Sequence, residues 1–239
     1  AIKSGTSDLS TYLFQHPSIL PPLSKEIFSD RPETWRPHYP TVAEMDSVRA
    51  ETGHASTGYF TPWMHHHPLM DNYRAACPDA KIILMLRDPV ERAYSHYKWD
   101  LFLGGRAQSQ IPYYATYAEY VDMSLDLFPG MPYPSPSGFP LLQTGIYAKS
   151  TAKWLDRFGR DRVLVVKSED FFANPVSTVC SIHEFLGLPP TPPTMHKAVN
   201  QNPLTAPRQD PESRARLAEF YRPFNEELYA LLDRDLQWT

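Results

Sequence analysis

Lys3-Ser4-Gly5-Thr6-Ser7-Asp8 sets a lysine, a glycine and two hydroxyls directly before Leu9, Tyr12, Leu13 and His16, whose spacing is helical. A glycine turn feeding a helix start points backbone N–H groups and the positive end of the helix dipole at one spot. With a lysine beside it, that spot suits a phosphate-like anion. The lysine precedes the glycine here, whereas in the ATP-binding loop G-x-x-x-x-G-K-[ST] it follows. A plain turn and helix cap use the same residue types, so the anion site needs support from the rest of the chain.

Arg87 and Ser95 offer that support, because an arginine presents a bidentate fork to a phosphate and a hydroxyl adds one more donor. Read singly, Arg87 is a helix-start arginine paired with Asp88 or Glu91. Lys25-Glu26 by itself reads as a surface ion pair, and His96, next to Ser95, is a candidate base or, as is commoner for a lone histidine on an aromatic helix, a packing residue. His65-His66-His67 raises a metal reading. Consecutive residues on a turn cannot all face one ion, and no Asp, Glu or Cys stands at ligand spacing nearby, so no metal is expected.

The elements that must carry these groups follow from apolar pattern and caps. Lys81-Ile82-Ile83-Leu84-Met85-Leu86 reads as a buried parallel strand. Asp88 is then an N-cap, Pro89 the first helical residue and Glu91 the capping-box partner, with the helix running through Tyr94, Tyr97 and Leu101. Tyr147, Thr151, Trp154, Leu155 and Phe158 mark the inner face of another helix, followed by a second apolar strand, Val163-Leu164-Val165-Val166. Asn174-Pro175 opens a helix through Val179, Ile182 and Leu186 that stops at Gly187, and Asp210-Pro211 opens one presenting Leu217, Phe220, Phe224, Leu228 and Leu231. Strands alternating with helices predict an α/β domain with a central parallel sheet flanked by helices, its ligands bound at the carboxyl ends of the strands. Only Ala1 and Ile2 precede Lys3, so the strand such a turn hangs from is expected to lie outside this sequence.

Composition limits the remaining choices. The 239 residues carry no internal repeat and no flexible linker, and residues 1–239 are expected to form a single domain. The chain carries 25 prolines against 10 glycines, and they concentrate in irregular connections such as residues 129–140 and 189–207, of the kind that carry binding function over a fixed scaffold. No apolar run reaches the length of about 20 residues that spans a bilayer, and no signal peptide is visible, so no membrane contact is expected within this segment. A net charge of −4 argues against a nucleic-acid partner and makes a strongly anionic polymer a less favoured acceptor. Cys77 and Cys180 form neither a disulfide framework nor a zinc motif and read as buried free thiols. With no N-x-[ST] acceptor, these features favour a reducing compartment such as the cytoplasm, with the Golgi lumen as the alternative if the chain comes from a membrane-anchored parent.

The first turn, K-x-G-T-[ST]-x-L, resembles the 5′-phosphosulfate loop of sulfotransferases that use 3′-phosphoadenosine-5′-phosphosulfate (PAPS). Their 3′-phosphate pattern, R-[DN]-P-x-x-R-x-x-S-x-[YW], is matched by Arg87-Asp88-Pro89-Val90-Glu91-Arg92-Ala93-Tyr94-Ser95-His96-Tyr97. Lys25-Glu26, the turn Tyr59-Phe60-Thr61-Pro62-Trp63, Gly145-Ile146-Tyr147-Ala148, Glu169-Asp170 and Phe220-Tyr221-Arg222-Pro223-Phe224-Asn225 with Trp238 resemble further family segments. The whole chain is similar to this family, above all to the membrane-type carbohydrate enzymes that sulfate N-acetylgalactosamine in chondroitin and dermatan, and to bacterial relatives acting on polyketides and other small hydroxylated molecules. Two departures stand out: Ile27-Phe28 replaces the usual Pro-His after Lys-Glu, and the basic loop over the nucleotide keeps only Lys197 and Arg208.

The resemblance implies a P-loop-like three-layer fold and PAPS as the donor, with adenosine 3′,5′-bisphosphate as product and no metal. It implies that Lys3, Ser4, Gly5, Thr6, Ser7, Arg87, Ser95 and Tyr147 bind the nucleotide. On the same resemblance Lys3 would stabilise the leaving phosphate and Glu26 would be the base, with His96 as the alternate. The acceptor it implies is a hydroxylated molecule, carbohydrate favoured; Trp99, Tyr113, Tyr114 and Tyr117 are candidate cleft aromatics or, as is commoner on helices, core residues, and Arg92, Lys98 and Arg106 are candidate contacts to an anionic acceptor. In another reaction class, an ATP- and Mg²⁺-dependent kinase would use Asp170 as its metal-binding carboxylate.

Overall fold

A computed structural model describes residues 1–27, 31–48, 50–53, 55–57, 60, 68–107, 116–130, 137–194 and 209–238, the side chains of 105–107 excepted. The 59 and 61–63 positions of the aromatic turn, the three histidines at 65–67, Tyr113, Tyr114 and the 195–208 loop lie outside the described residues.

The architecture is built on two strands, β3 (Ile82–Leu86) and β4 (Val163–Lys167), which pair in parallel from Ile82 opposite Val163 to Leu86 opposite Lys167. Successive side chains on a strand point to opposite faces, and here each face has its own core. Met85 and Val166 pack with Leu9 and Tyr12 of α1 (Thr6–Leu13) and with Val179 and Ile182 of α9 (Pro175–Leu186). Leu84, Leu86 and Val163 pack on the other side with Met70 of α4 (Leu69–Ala76), Trp154 and Phe158 of α7 (Ala148–Phe158) and Leu228 of α10 (Pro211–Leu232). The continuous apolar runs follow from this: a strand covered by helices on both faces has no solvent side on which to alternate. The result is the expected P-loop-like α/β layering.

A second parallel pair, β1 (Ile19–Leu20) with β2 (Glu51–Thr52), is short, so among the described residues the sheet consists of two separate pairs. Two small helices, α2 (Pro32–Trp35) and α3 (Val42–Val48), lie between them. Ala1 and Ile2 are buried, and the Ala1 nitrogen donates to the carbonyl of Met85 on β3 at 2.6 Å. Among the described residues no helix is long and apolar enough to cross a membrane.

The helix that follows β3, α5 (Pro89–Ala107), packs Val90, Ala93 and Tyr97 against Tyr120 and Val121 of α6 (Tyr117–Leu127) and Leu217 and Tyr221 of α10. Local capping sets the helix starts. Asn174 accepts from the Ser177 N–H, and Asp210 from that of Ser213. Asp88 accepts from the N–H of Val90 at 2.8 Å, as its N-cap role requires. Glu91, however, is not the capping-box partner. It pairs with Arg214 of α10, and the Asp88 N–H is met instead by Glu169 from the end of β4. The first helix also ends earlier than the apolar spacing suggests, at Leu13, with His16 beyond it. Cys77 and Cys180 are free, but each is half-buried rather than buried.

Candidate active site

Three segments meet at the carboxyl ends of β3 and β4. The first is the turn before α1, where Lys3 (φ 62°) and Gly5 (φ 87°) both take left-handed backbone. Lysine rarely adopts that conformation, so the packing around the turn holds it there. Gly5 is the N-cap of α1, with no side chain to occupy the helix start. Arg87, the residue after β3, donates from Nη1 to the Lys3 carbonyl at 3.2 Å. Ser168, the residue after β4, lies with its hydroxyl 2.8 Å from the Ser4 carbonyl and 2.7 Å from that of Leu86. The turn is thereby tied to the ends of both strands.

The Lys3 ammonium sits 4.5 Å from the centre of the Trp99 ring on α5. Burial first, then Arg87 and Lys98, lower its pKa from 10.5 to about 8, with Asp100 opposing them. A cation destabilised in this way gains from any anion that joins it. Ser95 stands one helical turn before Trp99, so the two share a face of α5. Thr6 and Ser7 open α1 on the same turn.

Other expected site residues fall elsewhere. Ser4 is fully buried, and its hydroxyl is unpaired among the described residues. Tyr147 is also buried and reaches the site through the backbone, its hydroxyl donating to the Arg87 carbonyl at 2.9 Å. Glu26 is exposed; its carboxylate lies 2.5 Å from the Lys25 ammonium and accepts from the Thr57 N–H at 3.3 Å. A cavity of about 420 Å³ runs from Ser7, Ser10 and Thr11 to Pro21, Pro22 and Lys25, and so joins the phosphate turn to the Lys-Glu segment.

His96 is not placed as an alternate base. It is fully buried, with Nδ1 3.0 Å from Arg92 Nη1 and Nε2 2.8 Å from the Ser137 hydroxyl. Arginine only donates, so Nδ1 is the acceptor and the ring proton sits on Nε2. Neither nitrogen keeps a lone pair for an acceptor hydroxyl. Burial, then Arg92 and Lys3, hold the ring neutral well below the usual histidine range. Packing decides two further residues. Tyr117 is a core residue, 2% exposed, and Arg92 is fully buried and bonded to the Leu141 carbonyl, so neither can line an acceptor cleft. Asp170, the carboxylate of the kinase alternative, is exposed and pairs with Arg234 at 3.4 Å.

Ser168, Phe172 and the Asp88–Glu169 contact were not singled out from the sequence. Glu169 accepts from the Asp88 N–H at 3.0 Å and from the Trp238 indole at 3.2 Å, which joins the start of α5 to the C-terminal segment. The available signal was the Glu169-Asp170 pair after the second strand; nothing local marks Phe172. Its ring lies 2.8 Å from where a Cβ on Gly5 would stand. Gly5→Ala therefore meets both a left-handed backbone and a ring, and is expected to cost about 1–3 kcal/mol. A thermal unfolding scan checks this as a melting temperature lowered by roughly 2–10 °C.

A lysine-led turn at a helix start, tied to an arginine from the next parallel strand, gives this α/β protein a candidate anion site. The chain belongs to the sulfotransferase domain family, whose profile matches residues 2–220. It is 31% identical over 185 residues to mouse carbohydrate sulfotransferase 15, covering 68% of this chain and 32% of that protein. It is 27% identical over 186 residues to human heparan sulfate glucosamine 3-O-sulfotransferase 3B1, covering 69% of this chain and 45% of that protein. The chain thus spans about a third to under half the length of these relatives. Among solved structures, a sulfotransferase from Alicyclobacillus acidocaldarius matches with a TM-score of 0.69 at 28% identity, over 99% of this chain and 94% of that one.

Proposed function

We propose that this chain, as one domain, moves a sulfuryl group from PAPS to a hydroxyl of a carbohydrate acceptor. The observation that carries the reading is Lys3. It is a desolvated cation with a pKa near 8, on a left-handed turn at a helix start, with Arg87 bonded to its carbonyl. The names of the carbohydrate and heparan sulfate relatives support the acceptor class. A polyketide or other small hydroxylated acceptor is the alternative within the same chemistry.

Sulfuryl transfer is an in-line displacement assisted by positioning and electrostatics. The acceptor oxygen forms a bond to sulfur as the bond from sulfur to the bridging phosphate oxygen breaks, and the acceptor proton passes to the Glu26 carboxylate. Negative charge grows on the departing phosphate, where Lys3, the α1 N–H groups and the Thr6 and Ser7 hydroxyls are arranged to receive it. Arg87 and Ser95 take the 3′-phosphate.

Adenosine 3′,5′-bisphosphate added without Mg²⁺ at about a hundred times its Kd should raise the melting temperature by roughly 5–10 °C. Stabilisation by ATP–Mg²⁺ and none by the bisphosphate would overturn the donor assignment. Labelled PAPS offered with chondroitin, dermatan, heparosan and small hydroxylated metabolites identifies the acceptor, and failure of every glycan ends the carbohydrate reading.

A further inference from the structure

The short helix α8 (Ser168–Ala173) reaches the anion site through two side chains one turn apart. Residues at i and i+4 share a helix face, so Ser168 and Phe172 meet the same neighbours. The Ser168 hydroxyl lies between the Ser4 and Leu86 carbonyls, joining the turn that carries Lys3 to the end of β3. Phe172 repeats that bridge from the next turn. Its ring edge fills the space beside Gly5, and the Arg87 guanidinium carbon stands 5.6 Å from its centroid.

The neighbouring Phe171 does the core packing, 1% exposed and edge-on to Tyr12 at 6.0 Å. Phe172 is 46% exposed and contributes little to that core. Its contacts instead fix the orientation of Arg87. A guanidinium over an aromatic face uses its plane for the attraction and leaves its edge N–H donors for an anion. One of those donors is already spent on the Lys3 carbonyl. The ring and that bond together set the direction of the rest of the fork relative to the Lys3 turn.

We propose that Phe172 is a positioning residue that holds Arg87 and the glycine turn in fixed relation, so that the protein distinguishes nucleotides carrying a 3′-phosphate from those without one. This rests on the donor reading given above. The contact acts on the 3′-phosphate through Arg87, and the 5′ side keeps its own donors, Lys3 and the start of α1.

Titration calorimetry with adenosine 3′,5′-bisphosphate and adenosine 5′-monophosphate tests the assignment on the full chain. For the wild type the bisphosphate binds more tightly. Phe172→Leu keeps bulk but loses the aromatic face, and Phe172→Ala loses both. Each should reduce the ratio of the two dissociation constants by about fivefold, the scale of a partly exposed cation–π contact. Phe172→Tyr keeps the face and should restore the wild-type ratio. A ratio unchanged in the leucine and alanine variants overturns the proposal, as does equal weakening of both ligands, which marks simple packing. A wild type that binds both nucleotides equally overturns the donor reading and this inference with it.

Discussion

Lys3→Met is expected to lower kcat by about 10²–10³-fold, the usual loss when one donor to a developing oxyanion is removed. Methionine keeps an unbranched, flexible stem that can still pack on Trp99, so the substitution removes charge with little change in volume. Stability should not fall with activity. The wild-type cation is desolvated and repelled by Arg87 and Lys98, and its removal relieves that cost. The apo variant should therefore melt at or slightly above the wild-type temperature while binding the bisphosphate more weakly. Near-wild-type turnover would remove Lys3 from the mechanism.

The same lysine sets a pH dependence. Only its protonated form meets a leaving phosphate, and in the free enzyme that form is lost as pH rises through about 8. Wild-type kcat/KM should be flat below that pH and fall about tenfold per unit above it. Phosphate anions favour the charged lysine, so binding takes up a proton near this pH, visible by calorimetry in buffers of different ionisation heat. The stability linkage has the matching sign. The folded pKa lies below the unfolded 10.5, so the unfolded chain binds more protons between about 8 and 10.5 and the contribution of this group to stability rises with pH across that window. Both effects should vanish in Lys3→Met.

Glu26→Gln is the second large effect, with kcat reduced by about 10²–10⁴-fold, the range for a lost general base. The side chain is exposed, its carboxylate oxygens meet Lys25 and the Thr57 N–H separately, and glutamine keeps one acceptor oxygen for one of them while water meets the other donor. Folding and bisphosphate affinity should stay unchanged, because the carboxylate acts on the acceptor rather than on the nucleotide. Unaltered turnover would remove Glu26 from the mechanism as its base.

Several elements were legible because their causes are local. Asn174-Pro175, Asp210-Pro211 and Asp88-Pro89 start helices where a short acceptor side chain meets the first free N–H groups, a contact made within three residues. The two apolar runs became paired strands for an equally local reason, since both faces of each had to be covered. Glu91 shows where such reasoning fails. It stands at capping-box spacing, yet a cation from α10 competes for it, and Glu169, 81 residues away in sequence, meets the Asp88 N–H. His96 could not be settled locally: beside Ser95 the sequence left a candidate base or a packing residue, and the fold decides for packing, with α5 turning it inward to Arg92 and Ser137.

What the sequence determined by itself was the composition of the anion turn, the arginine and serine after the next strand, and the starts of the helices. Backbone conformation and capping depend on residues within a turn of one another. Tertiary structure alone decided that Lys3 rests on Trp99 with a lowered pKa, that the Tyr147 hydroxyl donates to the Arg87 carbonyl, and that Ser168 and Phe172 of α8 lie against the glycine turn and Arg87. Those outcomes depend on which faces packing brings together and how much water it excludes. Desolvation and contacts between distant segments exist only once the chain has folded.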